Sequence, residues 1–227
     1  MKKIILSVLF SVFYLTSASA EIGVNVGISG SLGLFAASGD ETKTAAEGGK
    51  NAKGSEHGEA GFASIFIEKT LGDRFAIGID YVPSALPTET AETQILDMTG
   101  LATQTAGTAG QNKIQIDFED LTTYYVALNI TDSLYAKVGM VSVDIITNEK
   151  LATGSSYANT DMDGTLFGVG YNKDFDSGLF FRVEGNYMDF DGASVTGTGT
   201  ETVAAKVALT QLHGVMGCLL YTSPSPR

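Results

Sequence analysis

The chain has 227 residues, with 26 acidic side chains against 14 basic ones, a formal charge of −12, 27 glycines, one cysteine and no tryptophan. An acidic chain of this kind argues against nucleic acid as a partner, because phosphate recognition needs a basic face. The lone Cys218 excludes an internal disulfide framework.

Met1 to Ala20 read as a secretory signal: Lys2 and Lys3 form the basic end, Ile4 to Leu15 the apolar run, and Ala18-Ser19-Ala20 the cleavage site. Cleavage before Glu21 leaves 12 basic against 26 acidic residues, a net charge of −14. A membrane anchor is the weaker reading, since the apolar run is short for a bilayer span, and no later segment offers the roughly 20 apolar residues of a membrane helix. About 200 mature residues suit one domain.

From Val24 to Ala36 the sequence alternates. Val24, Val26, Ile28, Leu32, Leu34 and Ala36 share one parity, while Asn25, Gly27, Ser29, Ser31 and Gly33 hold the other. That predicts a strand with one apolar face and one small, polar face. A second strand is expected over Ala60 to Lys69, with Ala63, Ile65 and Ile67 on its apolar face; its other face is ambiguous, because Phe62 and Phe66 flank Ser64. Thr70 to Arg74 makes a short turn. The third strand, Phe75 to Val82, places Phe75, Ile77, Ile79 and Tyr81 outward and Ala76, Gly78 and Asp80 inward. Pro83 and Pro87 stop it.

A polar stretch from Ser84 to Gln111 precedes a fourth strand, Lys113 to Ile130. There Ile114, Ile116, Phe118, Tyr124, Val126 and Leu128 are expected on the outer face, with Gln115, Asp117, Glu119, Thr123 and Asn129 inside; Asp120 and Thr122 interrupt the apolar face. The fifth strand begins at Leu134, with Ala136, Val138 and Met140 outward and Tyr135, Lys137 and Gly139 inward. Its alternation slips at Val141-Ser142-Val143, marking either a bulge or the point where the strand leaves lipid. The sixth sets Thr165, Phe167, Val169 and Tyr171 opposite Leu166, Gly168, Gly170 and Asn172. The seventh sets Leu179, Phe181, Val183 and Tyr187 opposite Arg182, Glu184 and Asn186, and an eighth opens with Val203, Ala205, Val207 and Leu209.

Connection lengths alternate. Ser38–Glu59, Ser84–Gln111, Thr147–Thr160 and Gly192–Thr202 are long and polar, whereas the turns at Thr70, Thr131 and Asp174 are short. Such sorting is expected when external loops leave one rim and periplasmic turns the other. The expected fold is therefore all-β: a single eight-stranded antiparallel up-and-down transmembrane β-barrel over residues 21–217, in a bacterial outer membrane. Residues 218–227, with Pro224 and Pro226, form an atypical tail, read either as a non-native or truncated end or as a disordered extension.

Asp80, Asp117, Glu119, Lys137, Arg182 and Glu184 are the candidate site residues, an interior charge network in which the two cations pair with some of the four carboxylates. A pore lined by these charges is the competing reading, limited by the small lumen of an eight-stranded wall. Catalysis finds little support: Ser55 and His57 share a loop and His213 lies in the irregular end, so no catalytic residue is assigned. Asp161, Asp163, Asp174 and Asp176 complete no calcium loop, and neither metal nor cofactor is expected. Tyr81, Tyr124, Tyr125, Tyr171 and Tyr187 are candidates for aromatic girdles.

The hairpins Phe62–Pro83 and Gly168–Asp191 resemble those of small Gram-negative outer-membrane β-barrel proteins, the broad group of OmpA-like transmembrane domains, OmpX-like and opacity-type proteins. The resemblance covers Gly23 to roughly Leu209 and implies a non-enzymatic structural or surface-interaction role, with a narrow porin for small solutes or ions as the alternative. It also implies outer-membrane lipid, the barrel-assembly machinery and periplasmic chaperones as partners, external loops that meet a surface ligand, and a monomer. Members of the group usually end in an aromatic residue read during assembly; here the chain ends Pro226-Arg227.

Overall fold

The computed structural model describes residues 22–42, 52–97, 108–151, 156–198 and 202–223. The signal segment and Pro224–Arg227 lie outside the described residues. The elements are β1 (Ile22–Thr42), β2 (Ala52–Leu71), β3 (Phe75–Tyr81), β4 (Leu86–Pro87), β5 (Ala91–Asp97), β6 (Thr108–Asn129), β7 (Leu134–Lys150), β8 (Thr160–Asp174), β9 (Leu179–Phe190), β10 (Ala193–Thr196) and β11 (Thr202–Ser223).

Among the described residues eleven strands share one antiparallel sheet, which corrects the simple eight-stranded architecture expected from sequence. The additions lie in segments read as plain loops. β4 and β5 fold back onto β6, and β10 pairs with β11. Long strands that outrun their neighbours leave unpaired N–H and C=O groups, and these short segments cover them. The connection expected over Ser38–Glu59 is likewise mostly ladder, with β1 and β2 paired as far as Glu41 and Ala52.

Pairing runs β1-β2-β3-β6-β7-β8-β9-β11, and β11 pairs in turn with β1, from Thr42–Thr202 to Ile22–Ser223. The ladder thus returns to its own start. Where the sequence alternation blurs beyond Leu209, β11 still pairs with β9 down to Cys218. The inward parity of Val207 and Leu209 continues through Gln211, His213 and Val215, all buried, so the period persists while the inner face turns polar.

The wall has two regimes. In the half near the short turns, Ile28, Ile65, Val138, Val169 and Val183 are exposed on the outside, while Ser29, Ser64, Lys137 and Glu184 are buried inside. Toward the long connections the preference reverses: Val143, Met162, Phe190 and Leu209 are buried inside, and Asp161 and Asp189 occupy the outward parity. Hydrocarbon outside requires apolar side chains outward, whereas water outside rewards an apolar core inward. The slip at Val141-Ser142-Val143 is this change: Val141 and Val143 continue the inward parity of Lys137, and the β7–β8 register runs through without a shift.

β6 makes the change differently. The β6–β7 register shifts between Glu119 and Thr122, and Asp120 takes a left-handed φ of 53°. Asp tolerates this conformation better than most residues, and its Oδ1 accepts a 2.6 Å hydrogen bond from the Tyr81 hydroxyl. The extra residue reverses side-chain parity. Tyr124, Val126 and Leu128 stay outside as expected, but Ile116 and Phe118 pack inward against the apolar core.

Two inward glycines let tyrosines lie across the wall. A Cβ at Gly78 would collide with the Tyr125 ring, and one at Gly170 with the Tyr135 ring, each from the directly paired cross-strand residue. Gly78→Ala or Gly170→Ala should lower folding stability by roughly 1–3 kcal/mol through overpacking. Gly58→Ala, where a Cβ meets nothing within 4 Å, should be near neutral; denaturant titration followed by heat-modifiable gel migration measures the difference.

Candidate functional site

The inner face of the turn-proximal half carries the candidate site. Glu68 on β2 is fully buried, at 0% exposure, and opposes Arg182 on β9, 114 residues away in sequence. The guanidinium donates two hydrogen bonds to the carboxylate, Nη1 to Oε2 and Nη2 to Oε1, both 2.8 Å. Asn25 Nδ2 donates to Oε1 at 3.0 Å and the Tyr125 hydroxyl to Oε2 at 3.1 Å. Four donors satisfy a carboxylate's acceptor sites, the condition under which such a charge is tolerated without water. Arg182 is held in place by Asn172, which accepts from Nε at 3.0 Å, and by the Phe180 ring, 4.4 Å from Cζ.

A second pair lies beside it. Lys137 Nζ donates to Glu184 Oε2 at 2.6 Å, with the Tyr135 hydroxyl donating to Oε1 at 2.5 Å and Asn186 Nδ2 to Oε2 at 3.1 Å. Lys137 also sits 4.4 Å from the centre of the Tyr125 ring, which links the two pairs.

A third group is mostly uncharged. Ser64 Oγ donates to Asp80 Oδ2 at 2.9 Å, and Ser29 bonds Ser64. His213 Nδ1 lies 2.6 Å from Ser31 Oγ and 2.9 Å from Gln211 Nε2, while its Nε2 faces Asp80 Oδ2 at 3.8 Å. Ser31, His213 and Asp80 thus stand in the order of a nucleophilic relay, but Ser31 and His213 are buried within the packed lumen and Ser31 Oγ also accepts from Gln211 at 2.7 Å. The arrangement ties β1, β3 and β11 together across the interior.

Of the residues singled out from sequence, the structure brings Asp80, Lys137, Arg182 and Glu184 into this interior. Asp117 and Glu119 require correction. They lie beyond the β6 bulge, on the parity opposite the inward Ile116 and Phe118, and Asp117 accepts from Gln115 and Asn148 outside the network. Sequence reasoning passed over Glu68, whose parity with Ser64 was the available signal, and placed His213 in an irregular end. Tyr125, a girdle candidate, is buried in the lumen, whereas Tyr171 and Tyr187 are exposed on the outer face. Ser55 and His57 are exposed residues of β2, and among the described residues no cluster of His, Cys, Asp and Glu is arranged to hold a metal ion.

Among the described residues, two small cavities interrupt the filling. The outer one has about 10 Å³ of free space and is lined only by apolar residues, among them Phe35, Leu121, Met162, Phe190 and Leu209. The inner one has about 10 Å³ of free space, shares Leu121, and adds Asp80, Lys137, Asn186, Gln211 and His213. Side chains crowd both so closely that each leaves free room for about one water-sized group.

A ladder closed on itself, apolar where it faces outward and hydrogen-bonded where it faces inward, defines the transmembrane β-barrel class of the bacterial outer membrane. The chain belongs to that class by architecture, with lipid as its environment.

No protein-family model matches the chain, and no curated protein matches its sequence. Solved structures of similar form are the outer membrane protein OprG from Pseudomonas aeruginosa (17% identity, 87% of this chain and 97% of that one, TM-score 0.49), the outer membrane protease OmpT from Escherichia coli (10%, 87% and 97%, 0.48), and the outer membrane protein AlkL in lipid bilayers (15%, 93% and 97%, 0.41). These are likenesses of general form and assign no activity.

Removing one partner of the Glu68–Arg182 pair strands a buried charge. Arg182→Met should destabilise the barrel by about 3–5 kcal/mol, and the double variant Glu68→Leu/Arg182→Met should recover most of the loss. Glu119→Gln should stay within about 0.5 kcal/mol. Equal losses from Arg182→Met and Glu119→Gln in denaturant titrations would contradict the geometry.

Proposed function

We propose that this barrel admits small uncharged solutes into the external half of its interior and carries no steady ion current. The observation behind the reading is the outer cavity, apolar on every side and placed above a lumen crossed by two buried ion pairs. An ion meeting that plug would have to displace satisfied charge pairs without water to replace them, a cost of several kcal/mol. An uncharged solute entering an apolar cavity faces no such penalty, but the side chains of Met162, Phe190 or Leu209 must move to make room. In this reading the protein is a narrow, normally closed passage of the porin-like kind and performs no chemistry of its own. Assembly machinery and periplasmic chaperones are the partners its class implies.

A second reading, surface interaction, is favoured by the length of the wall. β6 and β7 stay paired from Asn129–Tyr135 to Lys113–Lys150, and on β7 this runs well beyond Met140, the last exposed large apolar residue of that strand. At the far end Lys113 pairs with Glu92, and Lys53 with Asp40 at 3.2 Å, all on exposed ladder. This polar extension suits a platform for external loops that meet a surface ligand.

Planar-bilayer recording and solute binding separate the two. The folded wild-type chain should show no discrete ion channels, and methylcyclohexane should shift the methyl resonances of Met162 and Leu209 saturably in lipid nanodiscs. Leu121→Phe, which fills the shared wall, should weaken that binding at least tenfold. A stable, discrete conductance would overturn the closed-plug reading; methyl signals that never move would leave the surface platform as the function.

A further inference from the structure

The inner cavity differs from the outer one in a way that packing alone does not explain. Gln211 donates through Nε2 to Ser31 and His213, and Asn186 donates through Nδ2 to Glu184, so both amides are orientated by their donors. Their acceptor atoms, Gln211 Oε1 and Asn186 Oδ1, are buried and receive no hydrogen bond among the described residues. Gln211 and Asn186 are 5% and 3% exposed, and both line the inner cavity. Asn186 Oδ1 lies over Gly168, its cross-strand partner; a buried acceptor without a donor costs about 1–3 kcal/mol, so Gln211 Oε1 points to a donor brought from outside the chain.

We propose that the inner cavity is a subsite for a single hydroxyl group, so that the preferred solute is a small apolar molecule carrying one alcohol or phenol. The inference rests on the outer cavity holding the apolar part. Chamber size is one argument: the inner cavity has free room for about one water-sized group, so a hydroxyl requires the least displacement of its walls and a carboxylate or phosphate requires more. Charge is another. Asp80 and Glu184 both lie on this face, and the ammonium of Lys137 is engaged by Glu184, so an anionic head would meet the Asp80 carboxylate. The approach is a third, because a charged head would have to cross a cavity lined only by apolar side chains, losing its hydration without compensation. A hydroxyl donates to Gln211 Oε1 and has lone pairs left for a donor such as His213 Nε2–H.

The test uses the folded full-length chain in nanodiscs and three probes of similar size: methylcyclohexane, cyclohexanol and cyclohexylammonium. Methyl resonances of Leu121 and Met162 report the outer cavity, and the side-chain amide resonances of Gln211 and Asn186 report the inner one. Cyclohexanol should shift both sets and bind roughly fivefold more tightly than methylcyclohexane, the value of about one net hydrogen bond. Gln211→Met should abolish that preference while leaving methylcyclohexane binding in place. The wild-type amide shifts decide the matter even if the variant fails to fold. Equal binding of the alcohol and the hydrocarbon, with both amides unmoved, means that water alone occupies the chamber and overturns the proposal while sparing the apolar cavity. Tighter binding of cyclohexylammonium overturns the neutral head group. Methyl signals that respond to none of the probes remove the reading of the outer cavity, and this one with it.

Discussion

A β-wall that crosses from hydrocarbon into water changes solvent partway along its long strands, and the face that carries the apolar side chains must change with it. Below that level the outer face has to be apolar and every inward polar group has to find a partner within the protein. Above it the outer face is solvated and the apolar side chains gain by turning inward. The charged plug, the apolar core above it and the position of the β6 bulge all answer to this one requirement.

The two ion pairs are placed where it is most demanding. A narrow lumen offers too little water to solvate four charges, so each carboxylate is surrounded by donors: four at Glu68 and three at Glu184. Tyr125 and Tyr135 supply a hydroxyl to each pair and cover the wall with their rings, which is possible because Gly78 and Gly170 leave the opposite positions empty. The glycine content that marks the sequence as unusual is thus connected to the electrostatics of the lumen. Buried ion pairs in the lower lumen and an apolar core above them are two parts of one filling pattern.

Strand parity was legible where it is a local property. On β3, β7 and β9 the alternation assigns Asp80, Lys137, Arg182 and Glu184 to the inner face, because successive side chains on a strand point to opposite sides whatever lies across the sheet. On β6 the same logic fails for Asp117 and Glu119. One left-handed residue, Asp120, shifts the parity of everything before it, and the broken apolar face at Asp120 and Thr122 was its only trace in the sequence. The short strands β4, β5 and β10 left no comparable trace, since they exist by pairing with edges that other strands leave open.

The sequence by itself determined the period of the strands, the alternation of short turns with longer connections, and the segregation of small, polar side chains from aliphatic ones. Each is set by a residue and its near neighbours. Only the tertiary structure decided the eleven-strand count, the return of β11 to β1, and the partnership of Glu68 with Arg182 across 114 residues. Those depend on register and on the curvature that brings opposite walls together, which no short stretch of chain encodes. Glu68 had the right parity to be seen, but its significance lay in a partner that only a closed wall could place opposite it.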